Sequence, residues 1–213
     1  MCFIILSSVV THRSARDCCY CSVLSLCVQT VFLCRYNLQQ MNKGAGWSPK
    51  LLKHAVQRLV PALRNVDESY DIDCRALLPE KLDFAEGMHT GCHPALFKRV
   101  VKAPQFAEIL KGVKSSLEDD RDMSRKSVAL LVCDVNGRHA AMAVGKAFAE
   151  CIAADQKFSL GIVHILANQD TGNSCGVCAR CEFWTRRWAS RNSAVNAVKA
   201  VWFEHAQEVM LSD

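Results

Sequence analysis

The stretch Val128-Ala-Leu-Leu-Val-Cys-Asp-Val-Asn-Gly-Arg-His139, running on into the alanine-rich segment Ala140 to Cys151, decides the fold. Val128 to Cys133 is short, apolar and partly β-branched, which suits a buried strand. Asn136-Gly137 tolerates positive φ and marks a tight turn. Beyond the turn, Ala143, Val144, Ala147, Phe148, Cys151 and Ile152 recur at helical spacing, so a helix with one buried face follows. A loop of this kind points backbone N–H groups and the positive end of a helix dipole at one place, which is a natural seat for an anion. Arg138 and His139 stand at the loop-to-helix junction, where cations complement such an anion. The plain alternative is an ordinary β-to-α connection with a surface Arg and a half-buried His.

Three well-defined loops can be tested against the segment. A Walker A loop needs a Gly-Lys-Ser/Thr string after a spaced glycine, and the sequence has none. A dinucleotide fingerprint needs three spaced glycines where only Gly137 is present. A phosphatase-type cysteine loop would pair Cys133 with Arg138, but the spacing is one residue short, and Asp134 would put a carboxylate where the phosphate belongs. No nucleophile, base and orienting group can be assembled at plausible spacing, so catalysis is not expected.

Outward from this segment, strands and helices alternate. Tyr70 to Leu77 reads as a strand, Pro94 to Val101 and Pro104 to Leu117 as helices, and Glu118-Asp-Asp-Arg-Asp122 as a solvated turn. Leu160 to Ala167 reads as a strand and about Arg191 to Leu211 as a last helix, with Val195, Val198, Val201, Trp202 and Val209 on its buried face. Ser48-Pro49 begins a further helix, with the Ser as cap and the Pro in its first turn. The expected fold is α/β, a small, mostly parallel sheet with helices on both faces.

Four runs keep a common order: Asp71-Ile-Asp-Cys-Arg75, Met88-His-Thr-Gly-Cys92, Gln105-Phe-Ala-Glu-Ile-Leu110, and Leu131 to His139 with Val144. In that order they resemble the C-terminal domain of the RapZ RNase adaptor family, over about residues 69–167; the sequence has no counterpart of that family's N-terminal P-loop domain. The resemblance implies an α/β domain that binds a sugar phosphate or other phosphate and, in the bacterial adaptor, a small regulatory RNA. It implies a phosphate site made by Arg75, Thr90, Gly91, Asn136, Gly137, Arg138 and His139. The chain departs from the family pattern at Ala140-Ala141, where the family keeps Arg-Ser, and at Gly87, where it keeps an Arg. Two classes of function follow. One is a non-catalytic phosphate, sugar-phosphate or RNA-backbone binding domain. The other is a degenerate protein-interaction module, stabilised by zinc, whose anion site has eroded. Arg75 also reads as a structural salt bridge on a strand edge, and Thr90-Gly91 as a plain turn.

Cys175, Cys178 and Cys181 are separated by two residues each, and Cys-x-x-Cys steps let sulfurs face one metal ion. His164 is the candidate fourth ligand for zinc. An iron–sulfur cluster with a fourth cysteine, reduced thiols or a loop disulfide are the alternatives, and His164 alone reads as a core or edge histidine. Arg180, Arg186, Arg187 and Arg191 interleave with Trp184 and Trp188, a pattern that can hold a phosphate backbone and stack a base; a solvated face over packed tryptophans competes with it.

The chain has 213 residues, half of them apolar or aromatic, with a formal charge of +5. Most of that charge, +3, sits in residues 1–46, which also carry six of the thirteen cysteines. The nearly neutral remainder is a poor general nucleic-acid binder unless its charges cluster. Neither apolar run in residues 1–46 is long enough to span a membrane. This segment is expected to be an extension, disordered or targeting, with a domain boundary at Asn42 to Gly46 and the folded domain in residues 47–213.

Overall fold

Four strands form the sheet: β1 (Gln29–Asn37), β2 (Glu68–Asp73), β3 (Ser127–Asp134) and β4 (Phe158–His164). A computed structural model describes them together with the rest of residues 29–37, 63–78, 87–134, 139–164 and 193–210. The spatial order is β2-β3-β1-β4 and every pairing is parallel. The α/β expectation therefore holds, with a sheet that is wholly parallel.

One position needs correction. The expected extension, residues 1–46, contains β1, which sits inside the sheet with Thr30 to Asn37 paired to β3 and Gln29 to Arg35 paired to β4. Its sequence, Gln-Thr-Val-Phe-Leu-Cys-Arg-Tyr-Asn, is a β-branched and aromatic run that satisfies backbone groups on both of its neighbours. Cysteine richness and the composition break at Asn42 to Gly46 masked that signal. The boundary does not separate β1 from the fold.

Alternation along the strands defines the main core. Val31 and Leu33 of β1, Tyr70 and Ile72 of β2, Val128, Leu130 and Val132 of β3, and Phe158 and Leu160 of β4 lie in register and face one apolar cluster. Cys34, Ala129, Leu131 and Cys133 are buried at the alternate positions, so the middle of the sheet is enclosed on both faces.

Four helices complete the described structure: α1 (Pro94–Val101), α2 (Pro104–Asp122), α3 (Ala140–Ala154) and α4 (Ser193–Met210). The small side chains of α3, Ala140, Ala141, Ala143 and Ala147, are all buried and let the helix lie close against β1, β3 and β4. The helices α1 and α4 pack in turn on α3. Trp202 of α4 is 1 % exposed, and its indole Nε1 donates to Asp155 just after α3 at 3.0 Å. Lys114 of α2 is buried beside it, its ammonium donating to the Trp202 carbonyl and lying 5.6 Å from the Trp202 ring centre. Burial lowers the Lys114 pKa from its ordinary value.

Two element ends differ from the sequence reading. The acidic segment Glu118 to Asp122 continues α2 instead of forming a turn, because Asp120 faces inward one turn after Leu117. Asp120 is 1 % exposed and accepts from Tyr70 Oη at 2.8 Å and from Arg125 at 2.6 Å. Arg125 also pairs with Glu68 at 2.9 Å, so the end of α2 is tied to the start of β2. Burial and this bond to Asp120 push the Tyr70 phenol up to about 12. The expected strand Tyr70 to Leu77 stops at Asp73: the Cys74 N–H still reaches the Cys133 carbonyl at 2.8 Å, and the chain then winds into a 3-10 turn, Arg75–Leu77, that buries Leu77. The helix begun at Ser48-Pro49 lies outside the described residues.

Candidate anion site at the carboxyl edge of the sheet

The strand order sets where a site can form. The chain leaves β1 toward β2 at one edge and leaves the adjacent β3 toward β4 at the other. In open parallel sheets the carboxyl ends of two such strands enclose the crevice where ligands bind. Asn37 and Asp134, the last residues of β1 and β3, pair across this point. The expected anion residues, Asn136 to His139, follow two residues further on.

Two of the segments named from sequence meet at this edge, and a third, Arg75, follows β2 beside it. Arg75 follows Cys74, whose N–H is bonded to Cys133 beside the end of β3. The Thr90-Gly91 turn lies against the first turn of α3. A Cβ placed on Gly91 would stand 1.9 Å from the His139 carbonyl oxygen and 2.6 Å from the Ala143 nitrogen, so no other residue fits there without displacing backbone. His139 is the N-cap residue of α3, half-buried, with Nε2 3.2 Å from the Gly87 carbonyl oxygen. Residues 48 to 59 positions apart in the chain are thereby brought together. Asn136, Gly137 and Arg138 lie outside the described residues.

The side chains at this edge are already engaged with one another. Arg75 donates through Nε to both carboxylate oxygens of Asp73, at 3.0 and 2.9 Å, and a third bond comes from Nη2. That fork raises the Arg75 pKa, and although burial acts the other way it holds the Asp73 carboxyl below its ordinary value. Thr90 is fully buried; its Oγ1 accepts from the Cys92 N–H at 3.3 Å and its carbonyl accepts from His93 at 2.8 Å, which shapes the turn leading into α1. His93 then caps α1 by accepting from the Ala95 N–H at 3.3 Å, its ring stacked on His89 at 4.1 Å.

Asp134 is the residue the sequence reading undervalued. It is 5 % exposed, and its Oδ2 accepts a hydrogen bond from the Ala141 N–H at 2.9 Å. His139 gives α3 no side-chain cap, so this carboxylate takes that part. The positive end of the α3 dipole, the basis of the anion expectation, thus faces a carboxylate of the same chain. The available signal was an acidic residue at a strand end, close ahead of a helix that lacks a Ser, Thr, Asp or Asn cap. Ala140 and Ala141 are 3 % and 0 % exposed and offer no further polar group. Cys133 is buried, and burial also pushes the Cys74 thiol well up, assisted by Cys133, Asp134 and Asp73; neither is a presented nucleophile.

The remaining candidates fall elsewhere. Cys175, Cys178, Cys181 and the arginines Arg180, Arg186, Arg187 and Arg191 lie outside the described residues, as does the side chain of His164, whose backbone ends β4. Among the described residues no three His, Cys, Asp or Glu side chains come together as a metal site, and no helix is long and apolar enough to cross a membrane. No family model, curated protein or solved structure matches the chain.

Proposed function

We propose that this chain is a non-catalytic binding domain, of the kind the RapZ C-terminal domain represents, that takes a phosphate group of a small molecule or an RNA backbone at the carboxyl edge of β2 and β3. The observation that carries this reading is the docking of the Thr90-Gly91 turn onto the first turn of α3, at the switch point of the sheet, with Arg75 leaving the neighbouring strand. An α/β edge of this kind gathers backbone donors and a cation, which supports binding of an anionic group. Arg138 and His139 would supply further cationic donors to the bound phosphate.

Thermal unfolding of the full chain tests it with inorganic phosphate, glucosamine-6-phosphate and a short single-stranded RNA as probes. A midpoint that rises with the concentration of any one of them, and a rise abolished by Arg75→Ala, is the expected result. Unchanged midpoints at millimolar concentrations of all three would remove the reading. A second reading, a protein-interaction module with an eroded anion site, draws support from the carboxylates of Asp73 and Asp134, which satisfy Arg75 and the α3 N-terminus internally. For zinc as part of that module the support is the spacing of Cys175, Cys178 and Cys181.

A further inference from the structure

We infer that the hollow between α1, α2 and α4 is a second binding site, which takes a small amphipathic anion of the medium-chain fatty carboxylate type, its alkyl chain among the helices and its carboxylate between Lys98 and Lys102. The hollow measures about 360 Å³, at the lower end of the roughly 300–1,000 Å³ of small-molecule sites. It shares no residue with the carboxyl edge of the sheet and is independent of the function proposed there. Its apolar wall comes from all three helices: Val101 of α1, Phe106 and Leu110 of α2, and Val198 and Val201 of α4. Phe106, Leu110 and Val198 are buried and form the floor, whereas Lys98, Lys102 and Ala197 are exposed at the rim. Lys114 of α2 meets Trp202 of α4, so Leu110, one turn before the lysine, and Val201, next to the tryptophan, close the apolar end.

Charge gives the hollow a direction. Lys98 and Lys102 stand one turn apart at the end of α1, and two cations at that spacing repel each other. Among the described residues neither ammonium has a carboxylate or hydrogen-bond partner, whereas Lys146, Lys157 and Lys199 each reach a glutamate. Among the described residues these two lysines are the whole charged lining, with no acidic side chain beside them. Ser193 and Ala194, the first residues of α4, border the same hollow, and no acidic residue occupies that first turn. The N–H groups at this helix end add to the positive potential of the lysines. A carboxylate placed between the lysines pairs with both and relieves their repulsion, and the alkyl chain behind it covers apolar surface that would otherwise face water. A neutral amphiphile gains only the second of these.

Octanoate, 1-octanol and butanoate separate head from tail, and amide NMR titration of the full chain reads both affinity and place. Octanoate binds saturably at millimolar concentration or below, with shifts centred on the residues that line the hollow. Octanol binds at least about fivefold more weakly, for want of the charge, and butanoate at least about tenfold more weakly, for want of methylenes. Lys98→Ala with Lys102→Ala, both at exposed positions, brings octanoate down to the affinity of octanol and leaves octanol unchanged, whereas Lys98→Arg with Lys102→Arg keeps octanoate bound. Ala197→Trp fills the hollow from its rim and weakens octanoate and octanol alike. Octanoate bound no more tightly than octanol, or undiminished by the double alanine variant, would overturn the proposal. So would the absence of any saturable shift with octanoate, which would mean that the chain itself fills the hollow or that it takes no such anion. Shifts of the lining residues on dilution of the protein alone would place a second copy on this face and overturn it as well.

Discussion

At Gly91 the closeness of two backbones can be measured with one methyl group. An alanine there drives its Cβ into the His139 carbonyl and the Ala143 nitrogen, which belong to the first turn of α3 and cannot rotate away. Overpacking of this kind costs about 1–3 kcal/mol or more, so Gly91→Ala is expected to lower the unfolding free energy by at least about 2 kcal/mol in urea titrations. A change under about 0.5 kcal/mol would mean that the turn does not press on the helix. The need for glycine here was not readable from sequence, because Thr-Gly alone marks any turn and the helix it presses on lies 48 residues away. Asp134 was harder to read. Its carboxylate lies seven residues before the N–H that it accepts from, beyond the reach of the local capping pattern, in which the cap precedes its partner by two or three residues. Arg75 could be assigned from sequence to a ligand or to a salt bridge, and its fork with Asp73, two residues away, makes the bridge. The bridge forms where the strand stops at Asp73 and the chain winds into a 3-10 turn.

Among the elements, α3 shows how much periodicity reveals and where it stops. The buried stripe Ala143, Val144, Ala147, Phe148, Cys151 and Ile152 was legible, as was the start at Ala140, because the helix packs on the sheet through that stripe. The polar partners of its outer face were not, since one of them comes from α4. Glu150 pairs with Lys146 at 3.0 Å within α3 and with Lys199 of α4 at 3.2 Å. Burial raises its pKa, but the two lysines outweigh that, so the folded value lies below the ordinary 4.5. The sign follows directly. Between the lowered folded value and 4.5 the unfolded chain takes up protons that the folded one does not, so stability falls as the pH drops through this window. Glu150→Gln is therefore expected to lose about 0.5–1 kcal/mol at pH 7 and almost nothing once the pH is below the folded value. Urea unfolding of both chains in a series from pH 7 downward measures this; a deficit that stays constant across the whole series would assign the effect to packing instead of charge. The C-terminal extension of α2 has a similar origin. Glu118 to Asp122 reads as a solvated turn when only charge is counted, yet Asp120 faces the Tyr70 hydroxyl and Arg125, which are 50 and 5 positions away. A non-local partner made helix out of a segment whose composition alone suggested none.

For the whole molecule the alternation of strands and helices gave the fold class, and the missing piece was the strand that holds it together. The order β2-β3-β1-β4 puts the first strand of the chain between the third and the fourth. Nothing local announces such a position: an isolated apolar run beside clustered cysteines has the composition of a leader as readily as that of a strand, and only pairing with β3 and β4 distinguishes the two. The consequence is a prediction opposite to the one that the composition break suggests. Removing residues 1–46 takes away β1, leaves the facing backbone groups of β3 and β4 unpaired, and strips the core of Val31, Leu33 and Cys34, which are 0–2 % exposed. Burial of each aliphatic side chain alone contributes about 1.5–3 kcal/mol, and unpaired buried backbone groups add about 1–3 kcal/mol each. Together these exceed the roughly 5–15 kcal/mol that holds a domain folded. A chain beginning at Trp47 is thus expected to show no cooperative thermal transition by circular dichroism and collapsed amide dispersion by NMR, whereas the full chain shows a cooperative transition and dispersed amides. A cooperative melt of the shorter chain within a few degrees of the full one would show that β1 is dispensable. It would also remove the switch point between β1 and β3, and with it the topological ground for placing a ligand at that edge.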